Sequence, residues 1–598
     1  MSEYVAPLAD MRFVIKELVG LERIAELPPF AELSPDLVDQ VLEEAGKFGA
    51  EVLGPLNRVG DTHGARFDAG NVTTPPGFKE AYSKFVEAGW NGLAGEPEFG
   101  GQGLPQIVAM PVAEIWNSAN MAFCLCPMLT SGVLEALERI GSPEQRARFL
   151  PNLTSGAWSG TMNLTEPQAG SDLSAVRTRA VPQPDGSYKL FGQKIFITSG
   201  EHDLAENIVH LVLARTPDAP EGTRGISLFI VPKFLPDANG KPDARNDVRC
   251  VSIEHKLGIH ASPTCVLAYG DNGGATGYLV GKENEGLRYM FIMMNHARLG
   301  VGLEGVAMGE RAYQHAAAYA RQRVQGRELG VASGDRVTIV HHPDVRRMLM
   351  LMKSQTEAMR ALAYAAAAAL DLSNHHSDPT ERTRHQALLD LLTPIVKGWC
   401  TEQAVEIASL GVQVHGGMGF IEEAGAAQFY RDARITTIYE GTTGIQALDL
   451  VNRKVGSERG ATMRAVLEQA SSTAADLLGS GDRDLEAIGQ QLKSAIGALE
   501  TATDWLVETF PKDPRQVAAS AVPYLKLSGL VLGGNAMARA ARIAVRRRGE
   551  EGADAGFYRA KLQSARFYAE HILPQAHAAA RIVTHGAAAT LALDDATF

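Results

Sequence analysis

Cysteine is scarce in this chain: five residues in 598, at positions 124, 126, 250, 265 and 400, with no recurring spacing. That argues against a disulfide framework and for free thiols in a reducing compartment. Cys124-x-Cys126 has no second cysteine pair or suitably spaced histidines, so buried thiols on a helix are expected there rather than a metal site. Excess positive charge is also missing. The formal charge is −12, which excludes a general polyanion binder as the default class. No uninterrupted run of about 20 apolar residues is present to span a bilayer. The start, Met1-Ser2-Glu3-Tyr4-Val5, has neither a basic-then-apolar leader nor an Arg-rich amphipathic one. A soluble, cytoplasmic protein is expected, with no integral membrane segment and no nucleic acid partner.

With 45% hydrophobic and 21% charged residues, the composition is that of a globular protein, and the length predicts three or four domains. Up to about residue 150, apolar residues recur at helical spacing, as in Leu33, Leu37, Val38, Val41 and Leu42. The texture then changes to β-rich runs such as Lys194–Thr198, Ile208–Leu213 and Ile226–Val231, separated by Gly, Pro and Asp. Helical periodicity returns from about Gly286, and the alanine-rich stretch Glu357–Leu372 predicts close helix packing. The expected class is α+β, with a helical N-terminal domain (1–157), a middle β-domain (158–285), a helical bundle (286–455) and an additional C-terminal helical domain (456–598). Pro236–Pro242 reads as an exposed loop. His341, His342, His375, His376 and His385 lack convergent carboxylates or cysteines, and are expected at solvated loop or helix-start positions.

Two short segments carry chemistry. Met162-Asn163-Leu164-Thr165-Glu166-Pro167 leads from a strand into Gln168-Ala169-Gly170-Ser171-Asp172, a turn of small residues able to aim N–H groups and a hydroxyl at a phosphate. Far downstream, Tyr439-Glu440-Gly441-Thr442-Thr443 sets one carboxylate between an aromatic ring and a glycine. Between and around them, in order, stand Pro97–Leu104, Gly192–Gly200, Lys256–Ser262, Ala320–Arg327 and Gly411–Phe420. Together these segments resemble those of the acyl-CoA dehydrogenases, flavoenzymes that remove a proton and a hydride from adjacent carbons of an acyl thioester. The resemblance runs from about residue 90 to 450 and implies that family's fold: a middle domain like a β-barrel, a C-terminal four-helix bundle, and FAD as cofactor.

Position by position, the resemblance implies that Met162, Leu164, Thr165, Gly170 and Ser171 contact the flavin and its phosphates. Phe196 would cover the ring, and Thr198 would donate a hydrogen bond to N5. Arg323, Gln413, Gly416 and Gly417 would hold the pyrophosphate and adenosine of a neighbouring subunit's FAD, and Thr442 would also face the cofactor. Glu440 would be the base that takes the α-proton, a task that needs a carboxylate shielded from water and of raised pKa. Ser171, Asn295, Arg298, Glu440 and Gly441 would contact the acyl-CoA. Relatives that keep the base on an earlier helix place it where this chain has Ala297, which cannot take a proton. Gln325 and Gly444 depart from the family pattern, and Phe196 stands where tryptophan is frequent.

The extra C-terminal domain resembles that of a longer bacterial subgroup. This implies a homodimer that passes electrons to an electron-transfer flavoprotein. The subgroup also implies 3-methylmercaptopropionyl-CoA or a similar short or medium acyl-CoA as substrate, with medium or long fatty acyl-CoAs as the alternative. Cys124, Cys126 and Met128 fall where relatives line the acyl pocket, although core filling is the more ordinary use of such residues. A DNA-binding flavoprotein of the same fold is a separate reading, supported by Arg539, Arg542, Arg546, Arg547 and Arg548, but Glu550, Glu551 and Asp554 follow at once.

Overall fold

Every residue of the run Asn207–Ala214 is buried, so this strand needs apolar cover on both faces. The computed structural model, which describes residues 3–237, 240–330 and 334–598, provides it. Val209, Leu211 and Leu213 join a core with Leu129, Val133 and Phe149, while Val212 and Ala214 join a second core with Leu190, Ile197 and Leu267. Alternation along a pleated strand sends successive side chains to opposite faces, and both faces here are dry.

The twelve strands are β1 (Arg66–Asp68), β2 (Asn71–Thr73), β3 (Trp158–Asn163), β4 (Arg179–Pro182), β5 (Tyr188–Thr198), β6 (Asn207–Ala214), β7 (Ser227–Pro232), β8 (Phe234–Pro236), β9 (Pro242–Arg245), β10 (Val248–Ile253), β11 (Thr264–Tyr269) and β12 (Ala275–Val280). Eight of them make one sheet in the order β10-β11-β5-β12-β7-β6-β3, with β4 also on β5. β3 runs parallel to β6 and the other pairs are antiparallel. β5 serves two sets of partners: its first residues pair with β4 and β12, and from Gly192 onward it pairs with β11. Gly192 makes that change possible, because a Cβ there would lie 2.5 Å from Thr178 Oγ1. The expected loop 236–242 is the tip of the β8–β9 hairpin; its Ala238 and Asn239 lie outside the described residues.

Two compact units divide the chain: 47–105 with 119–297, which contains the sheet, and 1–46 with 106–118 and 298–598, which is helical. The helix Gln106–Ile140 is interrupted at Asn120 (φ −160°, ψ 86°), whose Oδ1 accepts the Phe123 N–H at 3.1 Å as an N-cap would. By length and hydropathy this helix could span a bilayer, a feature the sequence reading passed over because its polar residues are scattered; 72% of its apolar window is buried in protein. Cys124 and Cys126 lie in it as buried free thiols.

In the helical unit, Pro343–His375, Pro379–Ile395 and Thr401–His415 are long, and the alanines of the first are almost all buried. His385 corrects an expectation: it is buried within Pro379–Ile395, and burial holds its pKa down at about 4. The additional C-terminal helices include Arg483–Thr509, Ala521–Arg547 and Ala555–His571. Gly529 and Gly533, one turn apart on Ala521–Arg547, lie against the buried Trp399. A Cβ at Gly529 would fall 2.2 Å from Trp399 Cγ, so only hydrogen fits. Gly529→Ala is expected to cost about 1–3 kcal/mol by overpacking, read as a lowered midpoint in denaturant unfolding.

The same unit encloses an ionic cluster. Arg360 Nη2 bonds Glu114 at 2.6 Å and Glu310 at 2.7 Å, Nη1 bonds Asp10 at 2.5 Å, and Tyr364 donates to Glu114 at 2.7 Å. Lys561 of the C-terminal helices pairs with Asp10 and, at 3.2 Å, with Glu357. Asp10 would be pushed up by burial, but Lys561 and Arg360 overcome that and hold its carboxyl well below the ordinary range.

Candidate active site

After the helix Ala426–Ala433 and the 3-10 turn Arg434–Thr437, two residues in succession take left-handed conformations: Glu440 (φ 54°) and Gly441 (φ 89°). Glycine does so freely, whereas for glutamate the conformation costs about 1–2 kcal/mol and persists only where its surroundings fix it. Lys397 Nζ donates to the carbonyls of Thr436 (2.9 Å) and Gly441 (2.7 Å). Gln446 Nε2 donates to the Glu440 carbonyl at 3.0 Å, and Thr443 Oγ1 donates to Glu402 at 2.5 Å. Thr442 is the N-cap of Thr443–Asp449, its hydroxyl accepting the Ile445 N–H at 3.3 Å. The turn is thus held from several sides.

Burial pushes Glu440 up to about 7, against the pull of the cations Arg298 and Lys397. Its side chain is half-buried, on no helix, so it is not the exposed helix-start carboxylate that a random glutamate would be. Arg298 is buried with Asp449 Oδ2 at 3.9 Å. Ala297 is also buried and offers only a methyl group. Lys397 is brought down to about 8 by its own burial, partly offset by Glu440 and Glu304. Glu304, wholly buried, is pushed up to about 8 and accepts a hydrogen bond from the Tyr439 hydroxyl. The sequence reading missed Lys397, Glu304 and Asp449. The available signal was a lone charge inside an apolar stretch, as in Ile395-Val396-Lys397-Gly398-Trp399 and in Leu303-Glu304-Gly305-Val306.

In the sheet-containing unit, β3 ends at Asn163, three residues earlier than its motif suggested. The following chain doubles back through an isolated bridge between Glu166 and Ala169, and the Ile195 N–H donates to the Thr165 carbonyl at 2.9 Å. Glu166 organises this loop. Its carboxylate accepts from Thr178 Oγ1 (2.6 Å), the N–H groups of Arg177 (2.7 Å) and Thr178 (3.1 Å), and buried Lys194 (2.8 Å). Lys194 also donates to the Leu164 carbonyl at 3.0 Å. Burial alone would raise Glu166, but the Lys194 charge and these donors hold its pKa below the ordinary value.

Leu164 is buried, Met162 and Thr165 are half-buried, and Gly170 and Ser171 are exposed. Gly170 does not use a left-handed backbone; its value is open space, since a Cβ would meet nothing within 4 Å. Phe196 presents a ring that is 60% exposed, on a backbone of φ 57°. The register slips there, Cys265 facing Ile197 and Leu267 facing Lys194, and the bulge turns Phe196 out of the sheet while Thr198 stays half-buried opposite Thr264. An outward ring, a half-buried threonine two residues on and an unobstructed glycine turn fit a flat heteroaromatic cofactor with a phosphate tail.

The residues expected to hold a nucleotide lie together in the helical unit. His415 stacks on Tyr319 (4.4 Å) and on His315 (4.6 Å), which fixes the turn after Thr401–His415 to the end of the helix Gly286–Gln322. Arg323 follows that end, and Gly416 (φ 60°) and Gly417 follow His415, all exposed, as is Gln413; neither glycine has anything within 4 Å of a Cβ. Asn295 is exposed on its helix. Four of the five C-terminal arginines have partners: Arg542 with Asp476 (2.6 Å), Arg547 with Glu17 (2.8 Å), Arg548 with Asp482 (3.0 Å), and Arg539 on the Leu18 carbonyl (2.7 Å). These contacts weaken the support for DNA binding.

A carboxylate raised by burial and, separately, a strand-end loop of small exposed residues are compatible with a flavin-dependent dehydrogenase. The domain models of one family match in order along the chain: acyl-CoA dehydrogenase N-terminal domain (39–157), middle domain (161–271), C-terminal domain (284–456), and the acetyl-CoA dehydrogenase C-terminal-like domain (461–594). The chain belongs to the acyl-CoA dehydrogenase family of FAD-dependent oxidoreductases. It is 52% identical to 3-methylmercaptopropionyl-CoA dehydrogenase of Ruegeria pomeroyi over 96% of this chain and 97% of that one. It is 34% identical to a broad-specificity linear acyl-CoA dehydrogenase of Mycobacterium tuberculosis over the whole of both chains. In fold it resembles the acyl-CoA dehydrogenase ACDH-11 of Caenorhabditis elegans, solved with C11-CoA (TM-score 0.76, 21% identity, 96% of this chain and 93% of that one).

Proposed function

We propose that the protein dehydrogenates 3-methylmercaptopropionyl-CoA, or a similar short or medium acyl-CoA, to the trans-2-enoyl thioester. The observation that carries the mechanism is Glu440: a half-buried carboxylate on a left-handed turn held by Lys397 and Gln446, pushed up by burial to about 7 against the pull of Arg298 and Lys397. It takes the α-proton, and its own backbone N–H together with Gly441 faces the thioester carbonyl, where negative charge develops. FAD, when bound, accepts the β-hydride, so that the proton and hydride leave an α,β double bond. Met162, Leu164, Thr165, Gly170 and Ser171 would bind and orient it, Phe196 would exclude water from its ring, and Thr198 would donate a hydrogen bond to it. Ser171, Asn295 and Arg298 contribute to the acyl-CoA site. Arg323, Gln413, Gly416 and Gly417 serve the nucleotide of a partner copy, with Thr442 near the cofactor.

The substrate assignment rests on the 52% identical relative. Anaerobic titration of the holoenzyme with a panel of acyl-CoAs, read as bleaching of the flavin band, tests it. Fastest bleaching by 3-methylmercaptopropionyl-CoA is expected, and faster bleaching by long-chain thioesters would replace it with a fatty acyl-CoA. Because the base must be ionised, kcat/KM is expected to rise as pH increases toward about 7 and then level off. A profile flat from about pH 5.5 to about 8 would contradict the assignment of Glu440.

The electron acceptor in this reading is an electron-transfer flavoprotein. The assembly is a homodimer, supported by exposed Val324, Met418, Phe420 and Ile421 beside the nucleotide-binding residues; a tetramer by light scattering would count against it. Five buried free thiols favour the cytoplasm. The domain division 1–157, 158–285, 286–455 and 456–598 is retained as part of this proposal.

A further inference from the structure

Tyr439 and Gly441, the neighbours of Glu440 in sequence, are each held by a buried ionisable side chain. Tyr439 donates its hydroxyl to Glu304, on the helix Gly286–Gln322. Gly441 gives its carbonyl to Lys397, on the π-helical segment Val396–Cys400, and Lys397 reaches back to Thr436 at the start of the same turn. Glu304 touches no solvent, so it cannot itself meet a substrate. Its second oxygen, Oε1, is buried without a hydrogen-bond partner, an arrangement that an apolar residue of similar size would avoid.

We propose that Glu304 is a positioning residue for the proton transfer, holding the Tyr439 ring so that the left-handed turn presents the Glu440 carboxylate in one orientation, with Lys397 as a second anchor on the Thr436 and Gly441 carbonyls. The proposal rests on Glu440 being the base. A fixed orientation matters because the α-proton is transferred over a short distance, and a displacement of about 1 Å can cost about 10²-fold in rate. Burial pushes the Glu304 carboxyl up to about 8. It therefore anchors Tyr439 without setting a full second negative charge beside the base.

The test uses holoenzyme and anaerobic stopped-flow reduction by 3-methylmercaptopropionyl-CoA, with the dissociation constant of a non-oxidisable thioether analogue of the acyl-CoA measured separately. Glu304→Leu and Tyr439→Phe are each expected to slow flavin reduction by about tenfold or more, with analogue binding changed by less than about twofold. The double variant is expected to be no slower than the worse single one, because both remove the same contact. Glu304→Gln, which can still accept from the tyrosine, is expected to recover most of the rate lost in the leucine variant.

Single-variant rates within about twofold of wild type, losses that multiply in the double variant, or a glutamine variant as slow as leucine would each overturn the proposal. Should Glu304→Leu fail to fold, Tyr439→Phe and Glu304→Gln carry the test by themselves. Glu440→Gln run alongside separates the two claims. If it reduces at the normal rate, the base is misassigned; if it is inactive while Tyr439→Phe and Glu304→Leu are normal, only the positioning role fails.

Discussion

Glu440→Gln is expected to slow anaerobic flavin reduction by about 10²–10⁴-fold, the range lost when a positioned general base is removed. Flavin content and acyl-CoA analogue binding should survive, because glutamine keeps the shape and the backbone N–H. A stability measurement distinguishes this from damage to the fold, and its sign follows from the raised pKa. In the folded protein Glu440 holds its proton up to about 7, whereas in an unfolded chain it loses it in the ordinary carboxylate range. The folded state therefore binds more protons between those limits, and the stability contribution of this group falls as pH rises through the interval. The glutamine variant cannot ionise, so its melting temperature should exceed that of wild type at pH 8 by more than at pH 5. An unchanged reduction rate would sink the catalytic assignment, and a lower melting temperature at both pH values would point to a structural role instead.

Arg360→Met is expected to destabilise the protein by about 3–5 kcal/mol, the cost of stripping the partner from buried charges. Arginine serves here where lysine would not, because its planar fork reaches Glu114, Glu310 and Asp10 together. Lys561 remains beside Asp10 after the substitution, but no other ion pair reaches Glu114 among the described residues. Burial already pushes Glu114 above its ordinary value despite Arg360. Without the arginine it should take up a proton, so the loss of stability should be larger at pH 8 than at pH 5. Urea unfolding at the two pH values measures this, and a loss below about 1 kcal/mol at pH 8 would mean that the cluster resembles an exposed ion pair.

Much of the fold was legible because its signals are local. β-rich runs with Gly, Pro or Asp breaks mark the strands between Trp158 and Val280, and alanine runs mark the packed helix Pro343–His375. Glu440 was legible through its motif, and the structure adds the reason for its neighbour: Gly441 sits at φ 89°, with Gln446 Nε2 only 2.8 Å from where a Cβ would be. The surrounding electrostatics were not legible. Glu304, Lys397 and Glu440 are separated by dozens of residues in sequence, and only tertiary packing brings their charges together. Glu166 shows the opposite error of emphasis, since it sits inside a recognised motif, yet its work is to hold Lys194 and the Arg177–Thr178 backbone. His385 was misplaced because the polar neighbours Arg384 and Gln386 mask a position that faces inward on its helix.

The glycine face against Trp399 has a consequence for anyone wishing to trim the chain. Leu525 packs where a Cβ on Gly398 would go, Lys561 neutralises Asp10, and Ser564 reaches Glu357 at 3.4 Å. A protein cut after residue 456 would uncover a tryptophan and take Lys561 away from Asp10 and Glu357, leaving those buried acids with Arg360 and Lys353 alone. It would be a wounded remnant, inclined to aggregate, and a poor stand-in for the shorter members of its family.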